Sequence, residues 1–434
     1  MKFRISAFVA PLVAFGMLLP VSAMAAPTAQ DETPLVTITS ARALPDVVGD
    51  RDVWMPALSP DGAFLAYINQ NGGSRNRDAQ LCVYTFSNAG KVCTLLDAGF
   101  SGLPYALQWS PDSTTIAFSE NPVELGNESD IWAYDVTGAA FLNVTDDGLT
   151  GLWRWLDTED DINLDYLPMW DQTDGSLVFW RVTPLGGLTY DLGLYRLADA
   201  ASEPELIRSL GEAIPNSVPT IRTESLSMDG PSALAADGSA VAAILSTPQS
   251  LGPTLSSVWL IPLDASADAV ELISADDFEA AVPAWRSFAP VATGLSWTGD
   301  SAGVVAFSSA GDARTPFAVV TYADVASGEI APLVDFSGVE SSQDYFNLAP
   351  GSTLPIRAYS PWTAGLTPTE DGVLMVNDLS GVTGVFASMV PPDGTLPTVI
   401  ASRQSVSNFL SSRSSRSSDG KVLIYGTLLQ TEVP

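Results

Sequence analysis

Seven times along the chain an apolar run reaches an Asp followed by Gly or Ser, turns, and gives way to a second apolar run. The copies are ALSPDGAFLAYINQ at Asp61, LQWSPDSTTIAFSE at Asp112, PMWDQTDGSLVFWRV at Asp174 and ALAADGSAVAAILS at Asp237, then LSWTGDSAGVVAFSS at Asp300, LTPTEDGVLMVND at Asp371 and SSRSSDGKVLIYG at Asp419. Successive Asp residues lie 51, 62, 63, 63, 71 and 48 positions apart. Self-similarity at a period near 60 calls for stacked modules and argues against one continuous core.

Each module has a second half. LCVYTFSNAGKVCTLL, DIWAYDVTGAAFLNVT, LGLYRLADAASEPELI, VWLIPLDASADAVELI and FAVVTYADVASGEIAPLV all read as strand, short turn, strand. A module therefore offers four strands, A to D, in β-branched and aromatic residues, with no helical periodicity between them. Four antiparallel strands per module, several modules in a row, predict an all-β chain folded as a β-propeller. The turn chemistry agrees. Pro111 pre-sets φ, Asp112 can accept from backbone amides, and position 113 suits a residue with positive φ. Trp109 is expected to fill the space between blades.

W-S-P-D-G before an apolar strand, followed by an I-W-x-Y-D-x-x-x-G-x hairpin, resembles the TolB-like (WD40-like, PD40) propeller repeat. Residues 53–144 match best; the later copies lack the proline at their turns. The resemblance covers most of residues 53–427. It implies a fold rather than an activity, because this repeat occurs in binding proteins and beside peptidase domains. Seven A–B hairpins imply seven blades, although the last copy stops at Pro434 without C and D strands. The strand-like PLVTITSARALPDVV (34–48) is expected to complete that blade and close the ring. Six blades is the alternative, the number found in the TolB family.

The N-terminus predicts export. Lys2 and Arg4 precede the apolar stretch Ile5 to Val21, and Ala23-Met24-Ala25 has the form of a cleavage site. Residues 1–25 thus read as a signal peptide, 26–52 as an N-terminal segment bearing the ring-closing strand, and 53–434 as the propeller. No later segment approaches the ~20 apolar residues of a membrane span, so a periplasmic or extracellular location without membrane insertion is expected. Cys82 and Cys93 flank the turn Ser87 to Gly90. In an oxidising space a cross-strand disulfide is the expected state, with two buried thiols as the alternative.

Lys and Arg total 19 against 50 Asp and Glu, a formal charge of −31. Charged residues make up only 16% of the chain, below the ~25% usual in proteins, so the imbalance comes from missing bases. Such a surface repels nucleic acid and anionic lipid. A protein, peptide or glycan partner, or a divalent cation, is compatible with it.

In a propeller the A–B and C–D turns share one side, and the B–C and D–A connections share the other. The D–A connections at about 145–165, 209–230, 274–292 and 335–363 are long, which points to that side for function. They carry Trp153, Trp155, Trp285, Tyr345 and Trp362, candidates for stacking on a glycan or holding a peptide; capping of the blade ends is the alternative. Asp157, Glu159 and Asp161, continued by Asn163 and Asp165, alternate as oxygen ligands for Ca²⁺ would. The match to a calcium loop fails at Ile162 and Pro168, and a solvated acidic loop is the other reading. No other cofactor is implied.

Gly299 to Gly303 spells the G-x-S-x-G of a hydrolase nucleophile elbow. The chain contains no histidine, so no Ser-His-Asp triad can form, and Ser301 falls in an A–B turn. Asn127-Glu128-Ser129 and Asn143-Val144-Thr145 are sequons. Three functions remain on this reading: a binding protein that presents its loop-rich side to a protein, peptide or glycan; a carboxylate-based glycosidase or lyase using the channel; and a structural envelope protein.

Overall fold

The computed structural model describes residues 53–70, 79–96, 104–120, 129–147, 163–186, 189–213, 232–247, 255–281, 291–310, 317–335, 364–369, 372–378, 384–390, 398–404, 409–416 and 422–428. The expected signal peptide and ring-closing strand lie outside them. Among the described residues no helix is long and apolar enough to cross a membrane.

Each predicted module is one antiparallel sheet. The first holds β1 (Val53–Leu58), β2 (Phe64–Gln70), β3 (Ala79–Thr85) and β4 (Gly90–Leu95). The second holds β5 (Pro104–Trp109), β6 (Thr115–Glu120), β7 (Ile131–Asp135) and β8 (Ala140–Asn143). In the third are β9 (Leu164–Trp170), β10 (Leu177–Gly186), β11 (Thr189–Leu197) and β12 (Glu205–Ser209). The fourth comprises β13 (Ser232–Leu234), β14 (Ala240–Thr247), β15 (Leu255–Pro262) and β16 (Val270–Ile273). The fifth comprises β17 (Val291–Trp297), β18 (Gly303–Ala310), β19 (Phe317–Asp324) and β20 (Ile330–Asp335). A sixth follows with β21 (Ala364–Thr369), β22 (Gly372–Asp378), β23 (Gly384–Val390) and β24 (Thr398–Gln404), and then a two-stranded sheet, β25 (Phe409–Arg416) and β26 (Val422–Leu428). All seven predicted A–B hairpins are present. The first strand of each sheet packs beside the first strand of the next, and β25 packs beside both β21 and β1. The fold is a β-propeller of four-stranded antiparallel blades.

The core lies between sheets. Ile68, Val83, Trp109, Phe118 and Tyr134 close the seam between the first and second, Phe179 meets Ala117 and Ile131 between the second and third, and Val178 and Trp180 meet Val241 and Ala243 at the next. Phe118, Tyr134 and Phe179 are fully buried, each worth roughly 1.5–3 kcal/mol of apolar transfer. Tryptophans at the end of strand A tie sheet to sheet. The indoles of Trp109, Trp170 and Trp297 donate to the carbonyls of Ala57, Gln108 and Ala233 on the first strand of the preceding sheet, at 2.9, 3.1 and 2.8 Å.

Cys82 and Cys93 stand directly opposite in the β3–β4 register and are joined by a disulfide. The expectation of a chain without helices needs a small correction. A four-residue helix, α1 (Leu210–Ala213), and a seven-residue helix, α2 (Ala275–Ala281), open two of the long connections. Ser274 caps α2: its hydroxyl accepts from the Asp277 amide, while the Asp277 carboxylate accepts from the Ser274 amide. Phe278 then buries completely. Two turns are too short to leave a readable period.

Candidate functional site

The two sides of the propeller differ in construction. On one, β1–β2, β5–β6, β9–β10, β13–β14 and β17–β18 are joined by tight turns in which Asp61, Asp112, Asp174, Asp237 and Asp300 each accept from the amide two residues on, at 2.8–3.1 Å. The residue after each Asp has positive φ: Gly62 69°, Ser113 61°, Gly175 77°, Gly238 72° and Ser301 58°. Left-handed backbone is unfavourable for serine. Ser113 and Ser301 use it to reach the neighbouring sheet, where their hydroxyls accept from the amides of Asp61 and Ala236 at 3.1 Å each. Ser301 is thus a turn and inter-sheet residue, and Gly299 to Gly303 is a hairpin. The Ser110 hydroxyl and the Thr114 groups hold Asp112 below the usual carboxylate range; Ser239 does this for Asp237, and Thr298 with the Ala302 amide for Asp300.

The other side carries the long connections, which leave β8, β12, β16 and β20. The best-defined polar constellation of this side lies where the second sheet meets the third. Arg181 on β10 grips Asp165 on β9 with Nε to Oδ1 and Nη2 to Oδ2, both at 2.7 Å. Its guanidinium also lies 4.9 Å from the Tyr195 ring centroid. Room for that ring comes from Gly193, where a Cβ would stand 3.0 Å from Tyr195 and 2.9 Å from Leu206. Burial pushes the Asp165 carboxyl up, and the hydrogen bonds from Arg181 oppose the shift.

This pair breaks the repeat. Trp109, Trp170, Leu234 and Trp297 pair in register with Ile116, Leu177, Val241 and Val304, as Leu58 does with Leu65. Four residues further along each second strand stand Asn69, Glu120, Arg181, Leu245 and Ser308. Only the third sheet places a cation there.

Around the pair, the roots of two connections converge. Asp165 donates its amide to the Ser129 carbonyl at 2.7 Å, and the Ser129 hydroxyl donates to the Asp165 carbonyl at 2.8 Å. Ser129 and Leu164 thereby form a parallel bridge between sheets. The Asn163 amide donates to Asp147 at 3.2 Å and the Thr183 hydroxyl to the Asn163 side chain at 3.2 Å. Thr145, buried, accepts from the Ile131 amide, and Asn143 donates to Asp130 at 2.7 Å. The flanks of connections 121–128 and 148–162 are thus tied to the third sheet.

This corrects part of the oxygen-ligand reading. Asn163 and Asp165 belong to the entry of β9 and are engaged with Thr183 and Arg181. The sequon Asn143-Val144-Thr145 likewise serves as internal hydrogen-bonding structure. Trp153, Trp155, Asp157, Glu159 and Asp161, together with Trp285, Tyr345 and Trp362, lie outside the described residues. Among the described residues, no group of three or more Asp, Glu or Cys is arranged to hold a metal ion. Sequence reasoning passed over Arg181 and read Ser129 only as part of a sequon. The available signal for Arg181 was a lone cation inside the apolar run LVFWRV.

No protein-family model matches the chain, and no curated protein does. Solved structures give low similarity. An oligogalacturonate lyase from Vibrio parahaemolyticus is 14% identical, with 80% of this chain and 92% of that one covered at a TM-score of 0.44. A prolyl endopeptidase is 11% identical, over 89% of this chain and 51% of that one, at 0.46. A TolB-type protein from Agrobacterium tumefaciens is 18% identical, over 66% and 81%, at 0.38. At these values the likenesses carry no argument about activity or ligand.

Proposed function

We propose that the chain is an exported, TolB-like propeller whose loop-bearing side binds a protein, peptide or glycan partner. The observation that carries this reading is the network around Asp165 and Arg181. It ties the flanks of connections 121–128 and 148–162 to the sheets, and a rigid base lowers the ordering cost that loops pay on binding. The aromatic residues Trp153, Trp155, Trp285, Tyr345 and Trp362 supply the contact area on this reading. Seven blades belong to the same proposal, with residues from 26–52 completing the two-stranded sheet of β25 and β26.

Capture of partners from an envelope extract tests it. The wild-type protein is expected to retain a partner that the Trp153→Ala, Trp155→Ala, Trp362→Ala triple variant loses. Equal capture by both places recognition elsewhere. Turnover of a glycoside or uronide substrate, abolished by a single carboxylate change, would replace binding by catalysis.

A further inference from the structure

The seam between the fourth and fifth sheets is built from smaller side chains than the seams before it. In the second sheet Phe118 pairs in register with Trp132, and in the third Phe179 pairs with Tyr195; the fifth has Ala306 and Thr321 at those places. One pair nearer the tight turns, Tyr134 of the second sheet and Leu197 of the third give way to Ala323. Ala306 and Ala323 face the fourth sheet, where they pack in one cluster with Ala242, Ile244 and Val258. Helix α2 packs against both β15 and β20 and so lies across the seam. Its Phe278 is fully buried in the same cluster. An aromatic ring thus enters from the connection, while the sheet itself supplies alanine.

Three hydroxyls are enclosed in this seam. Thr321 pairs with Ala306, and Ser308 stands two residues beyond Ala306 on β18, so both share its face toward the fourth sheet. Ser256 stands two residues before Val258 on β15 and shares the face of the fourth sheet that looks back at them. Ser256 is 1% exposed, and Ser308 and Thr321 are 0% exposed. None of the three side-chain oxygens has a hydrogen-bond partner in the protein. A hydroxyl taken out of water without a replacement bond is costly, and buried polar groups in folded proteins are met by protein or by ordered water.

We propose that the seam between the fourth and fifth sheets is an internal water site, where ordered water bonds to Ser256, Ser308 and Thr321 in the room that Ala306 and Ala323 leave beside Phe278. A buried water needs both space and polar partners. The small side chains provide the first and the hydroxyls the second; apolar walls alone would stay dry. No charge stands among these residues, so the guest is neutral. The site is independent of the partner-binding reading above.

A high-resolution crystal structure of the protein tests it directly. Water oxygens are expected within about 3 Å of the Ser256, Ser308 and Thr321 hydroxyl oxygens. Hydroxyls bonded only to protein groups, or with no water beside them, overturn the proposal. Urea unfolding of Thr321→Val and Ser308→Ala gives an independent sign. Deleting a hydroxyl that holds a water leaves that water short of a bond, so both variants are expected to unfold at lower urea than the wild type. A hydroxyl with no partner at all is relieved by an apolar replacement, so an unchanged or raised midpoint in both variants overturns the proposal. Oxygen-17 relaxation dispersion counts slowly exchanging internal water in solution. The wild type is expected to hold more of it than the Ser308→Ala, Thr321→Val double variant, and equal counts overturn the proposal.

Discussion

Arg181 shows how much one side chain can commit. Its side chain is only 12% exposed, and both oxygens of Asp165 receive the charge while the Tyr195 ring covers it. Removing one partner of such a pair leaves the other charge buried, at a cost of about 3–5 kcal/mol, whereas an apolar replacement of both is often neutral. Arg181→Leu is therefore expected to lower unfolding stability in urea by about 3 kcal/mol, and Asp165→Val with Arg181→Leu to restore most of it. If the double variant is no more stable than the single one, the cost lies in packing around Tyr195. Glycine gives a second contrast. At Gly175, with φ of 77°, a Cβ meets open space; at Gly238, with φ of 72°, it would sit 2.7 Å from the Asp171 carboxylate. Gly175→Ala should cost about 1 kcal/mol for the backbone alone. Gly238→Ala should cost clearly more, by chemical denaturation of both variants side by side.

Elements carry the next level of stability. The Cys82–Cys93 bond closes a separation of 11 residues between adjacent strands, and loops of that order gain about 2–3 kcal/mol from a cross-link. A Cys82→Ser, Cys93→Ser protein should lose about that much, measured by thermal or urea unfolding without reductant. Trp297→Phe deletes the indole bond to Ala233 while keeping most of the ring volume, and about 1 kcal/mol is expected. The sheets were legible in the sequence because their signals repeat. The turn Asp recurs in all seven copies, the proline of Pro111 once more at Pro60, and the residue after the Asp has positive φ in each of the five described turns. The network at Asp165 was hidden for the opposite reason. It joins Ser129, Asp147, Asn163 and Arg181, which are far apart in sequence and occur in one sheet pair only. Asp165 even sat within a plausible ligand alternation, and only the register of β9 with β10 gives it to Arg181. Helix α2 was missed because its signal, Ser274 with Asp277, is one cap long.

At the scale of the molecule, acid and salt act on the same surplus of carboxylates. The folded pKa values of Asp112, Asp237 and Asp300 lie below those of an unfolded carboxyl, near 3.9. A group depressed on folding adds stability above its unfolded pKa and loses it as pH falls through the folded value. Melting temperature should therefore fall below about pH 4, and Asp112→Asn should shrink that drop. With 50 acids against 19 bases, self-repulsion also opposes folding at neutral pH. Screening should relieve it, so the protein should melt higher in 0.5 M than in 0.01 M NaCl, against Debye lengths of about 4 and 30 Å. The indole bonds of Trp109, Trp170 and Trp297 have a further consequence. The second, third and fifth sheets each offer an indole to a first-strand carbonyl of the sheet before, whereas Leu58 and Leu234 hold that place in the first and fourth. A duplicate of the second sheet inserted directly after it would find a first-strand carbonyl for its own indole and the Trp170 indole for its own carbonyl, so the number of sheets can change by gene duplication without a new interface having to be invented.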